Sequence, residues 1–283
     1  MSEIIASGHL AKMLTNLGDN PDDVVEYTLP MGEARVPMNQ YIGQHIRLSY
    51  QGQINCTHCG RKTKKSFSQG FCFPCMQSLA RCDSCIMSPE KCHYDNGTCR
   101  EPAWADEFCM TDHIVYLSNA SAPKVGITRV NQMPTRWIDQ GAIQALPIFR
   151  VTTRQHSGFV EDALKAFIAD KTNWRTMLKG QAPAVDLKAV AESLKAEAAE
   201  DLDFFVENYG FQALQSIDDV DVLTINYPVQ TYPEKVSTHN FDKEPVVEGL
   251  LQGIKGQYLI LDTGVINIRK FTAYDVAFSL VEV

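Results

Sequence analysis

Nine cysteines, all lying between Cys56 and Cys109, constrain this 283-residue chain more than any other feature. A disulfide framework normally spreads through a small secreted domain, whereas clustered cysteine pairs in a chain of this kind indicate metal binding. At roughly 150 residues per domain, the length predicts about two domains with ordinary apolar cores. Bound ions would therefore stabilise local structure and would not replace a core.

The first four cysteines form two C-x2-C pairs separated by twelve residues: Cys56, Cys59, Cys72 and Cys75. Two such pairs can surround one Zn²⁺ with four thiolates, and Gly60 and Gly70 favour a hairpin between them. The spacing predicts a zinc ribbon, and a purely structural ion is its simplest interpretation. The tip of the ribbon is basic, through Arg61, Lys62, Lys64 and Lys65.

The second group contains five candidate metal ligands: Cys82, Cys85, Cys92, Cys99 and Cys109. A tetrahedral ion needs four ligands, so this group has one cysteine too many, and His93 and His113 are further candidates. A second Zn²⁺ is the first interpretation, and an iron–sulfur cluster is the alternative, which would make the chain a redox protein. The spacing leaves the metal and the spare cysteine open.

The charge of the chain is unevenly distributed. The net charge of −8 argues against a protein that binds nucleic acid over its whole surface, yet residues 113–180 carry +5, between −3 for residues 1–112 and −10 for residues 181–283. This basic segment favours an anionic partner such as nucleic acid. With no apolar run of about 18 residues and no secretory pattern, we expect a cytoplasmic protein that does not interact with membranes.

The patterning predicts the α+β class. Residues 1–55 predict a helix at the start, then strands and a turn at Gln51-Gly52. A weak repeat relates residues 43–55 to residues 256–267 and predicts related β units at the two ends of the chain that pack together. Four segments follow: a β-rich N-terminal segment (1–55), a cysteine-rich metal-binding region (56–112), a small α/β domain (113–180), and a helix followed by an acidic β-rich segment (181–283).

The middle segment predicts strands at residues 114–117, 124–128 and 146–151, with a short helix from Pro134 and a helix capped by Ser157. After it, a stripe at helical spacing predicts another helix, through Leu187, Val190, Ala191, Leu194 and Ala198. Strands and helices that alternate in this way favour a compact α/β unit.

The middle segment resembles the GIY-YIG nuclease domain. Its first motif corresponds to Ile114-Val115-Tyr116, and its second corresponds to Lys124-Val125-Gly126, followed by Thr128. The family's helix arginine corresponds to Arg136, and its metal-binding glutamate corresponds to Glu161. Two positions depart from the family pattern: Lys124 replaces the tyrosine of the second motif, and Gln140 lies where the family has a histidine.

The chain as a whole resembles the bacterial family called domain of unknown function 2797, a resemblance that names no activity. It is carried by QGFCFPC, CDSCI, PEKCH, GTCREPAW and KVGITR…RWIDQGA.

The GIY-YIG resemblance implies metal-dependent cleavage of a phosphodiester bond. Glu161 would hold Mg²⁺ or Mn²⁺, Arg136 would contact a phosphate oxygen, and Tyr116 would position or deprotonate the attacking water. The flanking nucleic-acid backbone would be bound by four basic residues: Lys124, Arg129, Arg150 and Arg154.

Our leading hypothesis is a zinc-containing nucleic-acid-binding protein with a nuclease-like site. The alternative is a non-catalytic, zinc-stabilised module that binds a protein or a nucleic acid. Under that alternative, Tyr116 is a packing residue, Glu161 pairs with Lys165, and Arg136 stacks on Trp137. The sequence does not distinguish DNA from RNA and does not specify an oligomeric state.

Overall fold

The computed structural model describes residues 3–20 and 22–281, which form a mixture of helices and strands consistent with the predicted α+β class. The chain divides into two compact units. Unit 1 is formed by the described residues of 1–77, 178–180 and 225–283, and unit 2 by residues 78–177 and 181–224. In the described part of the chain, no helix is both long and apolar enough to cross a membrane.

Unit 1 consists mainly of antiparallel strands. Its elements are β1 (Glu3–His9), β2 (Leu14–Asn16), β3 (Glu26–Met31), β4 (Ala34–Pro37), β5 (His45–Asn55), β6 (Lys62–Thr63), α1 (Phe73–Ser78), β12 (Val246–Lys255), β13 (Tyr258–Leu261), β14 (Gly264–Asn267) and β15 (Tyr274–Leu280). One sheet has the order β1-β15-β5-β12-β13-β14, with β6 paired to β5, and a smaller sheet has the order β2-β3-β4. The long strand β5 therefore lies between two strands from the C-terminal part of the chain.

The predicted helix at the start of the chain is wrong, because residues 3–9 form β1 and pair with β15. The predicted turn at Gln51-Gly52 is also wrong, since β5 continues through it. The pairing of β5 with β15 shifts in register between Tyr274 and Val276, and Gly52 has a φ of +75°. An irregular strand uses glycine there because positive φ is costly for other residues.

Unit 2 combines one antiparallel sheet with helices. Its elements are α2 (Pro102–Phe108), β7 (His113–Asn119), β8 (Pro123–Arg129), α3 (Thr135–Asp139), β9 (Gln144–Val151), α4 (Arg154–Leu164), α5 (Trp174–Met177), α6 (Leu187–Glu197), α7 (Ala199–Tyr209), β10 (Leu214–Ser216) and β11 (Leu223–Thr224). The sheet has the order β10-β9-β7-β8, and β11 also pairs with β9. The three strands and the two helices predicted for residues 113–180 are present.

The centre of unit 2 is the strand β7, which is buried along its whole length because β8 and β9 pair with its two edges. Its side chains alternate between the two faces of the sheet. Val115 and Leu117 join the core formed with α4, α6 and α7, which includes Val160 and Leu194. Alternation sends Tyr116 to the opposite face, where its ring makes an edge contact with Trp137 of α3.

Candidate functional site

The four cysteines of the predicted ribbon come together in unit 1. The sulfur atoms of Cys56, Cys59, Cys72 and Cys75 all lie within 4.8 Å of one another. The Sγ atoms of Cys59 and Cys72 are 3.7 Å apart, close to the edge of about 3.8 Å expected for a tetrahedron with Zn–S bonds of about 2.3 Å. The thiols are free. This cluster could bind zinc.

Backbone hydrogen bonds hold the two cysteine pairs side by side. Cys56 follows β5, and the N–H of Gly60, whose φ is +70°, donates to the Cys56 carbonyl at 2.9 Å. Across the hairpin, the N–H of Thr57 donates to the carbonyl of Gly70 at 2.8 Å, next to Cys72. The tight turn needs a residue that tolerates positive φ, which explains the glycine after the first pair.

The electrostatics of this cluster suit a bound cation. Burial opposes ionisation of Cys56, but the N–H groups of Cys59, Cys72 and His58 and the thiol of Cys59 lower its pKa to about 6. Burial and the three neighbouring cysteines raise the pKa of Cys75. Four thiolates this close repel one another, and Zn²⁺ offsets that repulsion while accepting all four as ligands.

Four of the five remaining cysteines line one cavity of about 20 Å³ in unit 2: Cys85, Cys92, Cys99 and Cys109. Cys82 is not among the described residues that line it. Asp83 and His93 also border this cavity, and their ligand atoms lie within 4.8 Å of the sulfur of Cys85. His113 is buried at the start of β7, where its Nδ1 donates to the carbonyl of Thr111 at 2.7 Å.

The phenol of Tyr116 occupies space that Gly126 leaves open. The two residues are direct partners on β7 and β8. A Cβ atom at position 126 would lie 2.8 Å from both Cζ and Oη of the tyrosine. The hydroxyl is fully buried and makes no hydrogen bond of standard geometry. A glycine opposite a tyrosine in this pair of strands is therefore required by packing.

The two departures from the GIY-YIG pattern meet in the structure. Lys124 is buried on β8, and its ammonium donates to Oε1 of Gln140, which follows α3. Burial and the nearby Arg136 lower the pKa of Lys124 to about 8, while Glu161 and Asp170 act in the opposite direction. A lysine and an amide thus form a pair at the positions where the nuclease family has tyrosine and histidine.

Tyr116, Arg136 and Glu161 are close enough for their charges to act on one another. Burial raises the pKa of Tyr116, with Arg136 and Gln140 opposing the rise and Glu161 adding to it. Burial also raises the pKa of Glu161 on α4, and Asp170 adds to this rise, whereas Lys165, Arg136 and Lys124 oppose it. Arg136, Gln140 and Glu161 are half-buried. We call Tyr116, Lys124, Arg136, Gln140 and Glu161 the polar cluster.

The other predicted backbone-binding arginines lie elsewhere in unit 2. Arg129 and Arg150 line another cavity, where Arg150 pairs with Asp112 through Nε at 2.7 Å and the Arg129 guanidinium lies 4.5 Å from the ring centroid of Phe108. The Nη2 of Arg154 donates to the carbonyl of Ile86 at 2.6 Å. Burial lowers the pKa of Arg154, and Cys109 is the first of the groups that oppose this effect.

Sequence analysis did not identify Gln140 and Asp170 as part of this site. Gln140 was noted only as a departure from a family pattern, and its contact with Lys124 supplies the missing reason. Asp170 follows Ala169, whose carbonyl accepts a hydrogen bond from the N–H of Val125, so the loop after α4 returns to β8. No motif marks that return.

Comparison with known proteins gives one match. The family model described as a protein of unknown function (DUF2797) matches residues 43–276. No curated protein and no solved structure matches the chain.

Proposed function

The chain belongs to the DUF2797 family of proteins of unknown function, and we propose that its unit 2 binds nucleic acid at the polar cluster and hydrolyses a phosphodiester bond. The supporting observation is that a phenol, a guanidinium and a carboxylate from β7, α3 and α4 act on one another electrostatically. These are the three groups that the GIY-YIG resemblance assigns to the chemistry. They come from positions 116, 136 and 161 of the chain.

The residues of the polar cluster have distinct roles in this proposal. Arg136 is half-buried and donates to a non-bridging oxygen of the phosphate, where charge develops during cleavage. Tyr116 lies beneath it, and its unpartnered hydroxyl orients the attacking water. Lys124, held by Gln140, adds a second positive charge near the phosphate.

The residues present fit a hard divalent cation. Glu161 and Asp170 raise each other's cost of ionisation, as the raised pKa of Glu161 indicates, and a cation relieves that repulsion. Glu161 would hold Mg²⁺ or Mn²⁺, which would neutralise charge on the phosphate and orient it.

Cleavage of labelled single- and double-stranded DNA and RNA with Mg²⁺ or Mn²⁺ tests this proposal. We expect Glu161→Gln and Arg136→Ala each to reduce the rate by about 100-fold or more. The matched controls are Glu192→Gln and Arg175→Ala, which change exposed residues of the same unit outside the polar cluster. Equal cleavage by all variants would assign the activity to a contaminant and refute the enzymatic proposal.

A second candidate function is binding without cleavage. The burial of the Tyr116 hydroxyl and the Lys124–Gln140 pair favour it, since neither lysine nor glutamine reproduces the acid–base properties of the residues they replace. Under this alternative, affinity for nucleic acid falls steeply with salt, no product forms, and Arg136→Ala weakens binding. Absence of both binding and cleavage for the wild-type chain would overturn both candidates.

A further inference from the structure

We propose that Cys85, Cys92, Cys99 and Cys109 are the four ligands of a second zinc ion, and that Cys82 is not a ligand. These four cysteines line a single cavity of unit 2, and its volume of about 20 Å³ is enough for one particle of about the size of a water molecule. Cys109 interacts electrostatically with Cys92 and Cys99, and Cys85 interacts with Cys92 and Cys109. The site is independent of the proposed phosphodiester chemistry.

The competing ligands at this cavity are already engaged. The carboxylate of Asp83 accepts from Nε of Arg100 at 2.7 Å and from the N–H of Ser84 at 2.6 Å. His93 places Nδ1 2.7 Å from Oγ1 of Thr98 and Nε2 3.4 Å from Asp83. Zinc prefers thiolates to these groups in closed structural sites. The Asp83–His93 contact is therefore better described as support around the thiolates than as ligation.

A buried arginine provides the second observation. Arg154 is largely buried, its Nε lacks a hydrogen bond, and among the described residues no carboxylate lies within ion-pair distance of it. Cys109 and Cys85 are two of the groups that stabilise its charge, and Arg129 also faces Cys109. Four thiolates around Zn²⁺ carry a net charge of −2, which two adjacent guanidinium groups balance. A bound tetrathiolate ion thus explains why a cation is buried here.

The same ion would fix the position of α4. Arg154 bonds the carbonyl of Ile86, and Nε2 of Gln155 donates to the carbonyl of Cys92 at 3.0 Å. Gly158 packs so closely on this segment that a Cβ atom there would lie 2.6 Å from the N atom of Glu90. Glu161 follows on the same helix, so the ligand loop and the proposed catalytic carboxylate belong to one packed arrangement.

Metal analysis of the full-length chain and its cysteine variants tests the inference. We expect two zinc ions per wild-type chain, two for Cys82→Ser and one for Cys99→Ser. Cys72→Ser, which removes a ligand of the first cluster, should also retain one. Loss of an ion from Cys82→Ser, or retention of two by Cys99→Ser, would refute this ligand set, and iron in anaerobically purified protein would refute the zinc assignment. If Cys99→Ser does not fold, the result for Cys82→Ser still decides.

A chelator competition measures the contribution of the arginine. We expect Arg154→Gln to weaken retention of the second zinc ion by about 10-fold or more, the usual effect of removing a group that supports metal ligands. Arg175→Gln is the control, because Arg175 is exposed and stacks on Trp174. Equal zinc retention by the two variants would remove Arg154 from the site. Zinc content is measured without substrate, so a failure of the proposed nuclease activity leaves this result unaffected.

Discussion

Gly126 determines whether the ring of Tyr116 fits within unit 2. We predict that Gly126→Ala lowers the free energy of unfolding by about 1–3 kcal/mol, the usual cost of adding an atom to a packed site. The new Cβ would lie 2.8 Å from the phenol. Urea denaturation checks this, with Gly180→Ala as the control, because no atom lies within 4 Å of a Cβ at that position. Unchanged stability of Gly126→Ala would contradict the packing described here.

Lys255 of unit 1 should make stability depend on pH in the alkaline range. It is fully buried, its ammonium donates to the carbonyl of Gly180 at 3.1 Å, and burial lowers its pKa from 10.5 to about 8. Between these values the unfolded chain binds more protons, so the free energy of unfolding rises with pH, by up to about 3 kcal/mol.

Lys255→Met should remove this rise. Urea denaturation of wild type and variant between pH 7.5 and 10.5 measures the difference between their profiles. Lys124→Met provides a comparison in unit 2, where the pKa is also lowered to about 8. Parallel profiles for wild type and Lys255→Met would show that this lysine does not titrate as described.

Individual residues of the polar cluster were predictable from the sequence, but their contacts were not. Tyr116, Arg136 and Glu161 were identified by type and order along the chain. Lys124 and Gln140 are 16 positions apart, and their hydrogen bond depends on how the turn after α3 packs on β8. That packing is a property of the folded sheet, which no local pattern encodes.

At the scale of elements, α6 depends on its N-terminal cap. The Asp186 carboxylate accepts from the N–H groups of Lys188 and Ala189, both at 3.1 Å. We predict that Asp186→Ala lowers the free energy of unfolding by about 1 kcal/mol, whereas Asp186→Asn, which keeps an acceptor, has a smaller effect. Thermal denaturation followed by circular dichroism checks both variants. Equal losses for the two would show that the charge, and not the cap, is what stabilises the helix.

Periodicity predicted elements well where a single face is buried. The stripe that predicts α6 is confirmed, since Leu187, Ala191 and Leu194 are all buried. The sequence signal failed where glycine has two uses. Gly52 has the composition of a turn, but its positive φ serves an irregularity inside β5, and only the pairing with β15 distinguishes the two cases.

At the scale of the whole molecule, unit 1 is built from both ends of the chain. A chain that ends at residue 245 lacks β12 and β15, the two strands that flank β5. We predict that β5 of this truncated chain loses its protection from hydrogen exchange, because its backbone groups lose their partners on both edges. Deletion of residues 1–9 is the milder control, since β1 pairs only with β15. Slow exchange in β5 of the chain that ends at 245 would refute this dependence.

The repeat predicted between the two ends exists, but in another register. A hairpin and a short 3-10 turn precede β5 as β3, β4 and Met38–Tyr41, and the same series precedes β15 as β13, β14 and Ile268–Phe271. This places Gly43, with a φ of +88°, opposite Ala273, with a φ of +79°. The sequence alignment had matched Gly43 with Gly256. Matching glycines misled it, because an alanine occupies the second left-handed position.

The interleaving of unit 1 has a consequence for how the protein is made. During synthesis on the ribosome, β5 and the four thiols that follow it emerge first, and all of unit 2 is translated before β12 and β15 are available. The early segment must therefore wait in a partly paired form while a complete second unit folds behind it. Capture of zinc by the nascent ribbon would protect this segment during the delay, so metal supply would affect yield before it affects any activity.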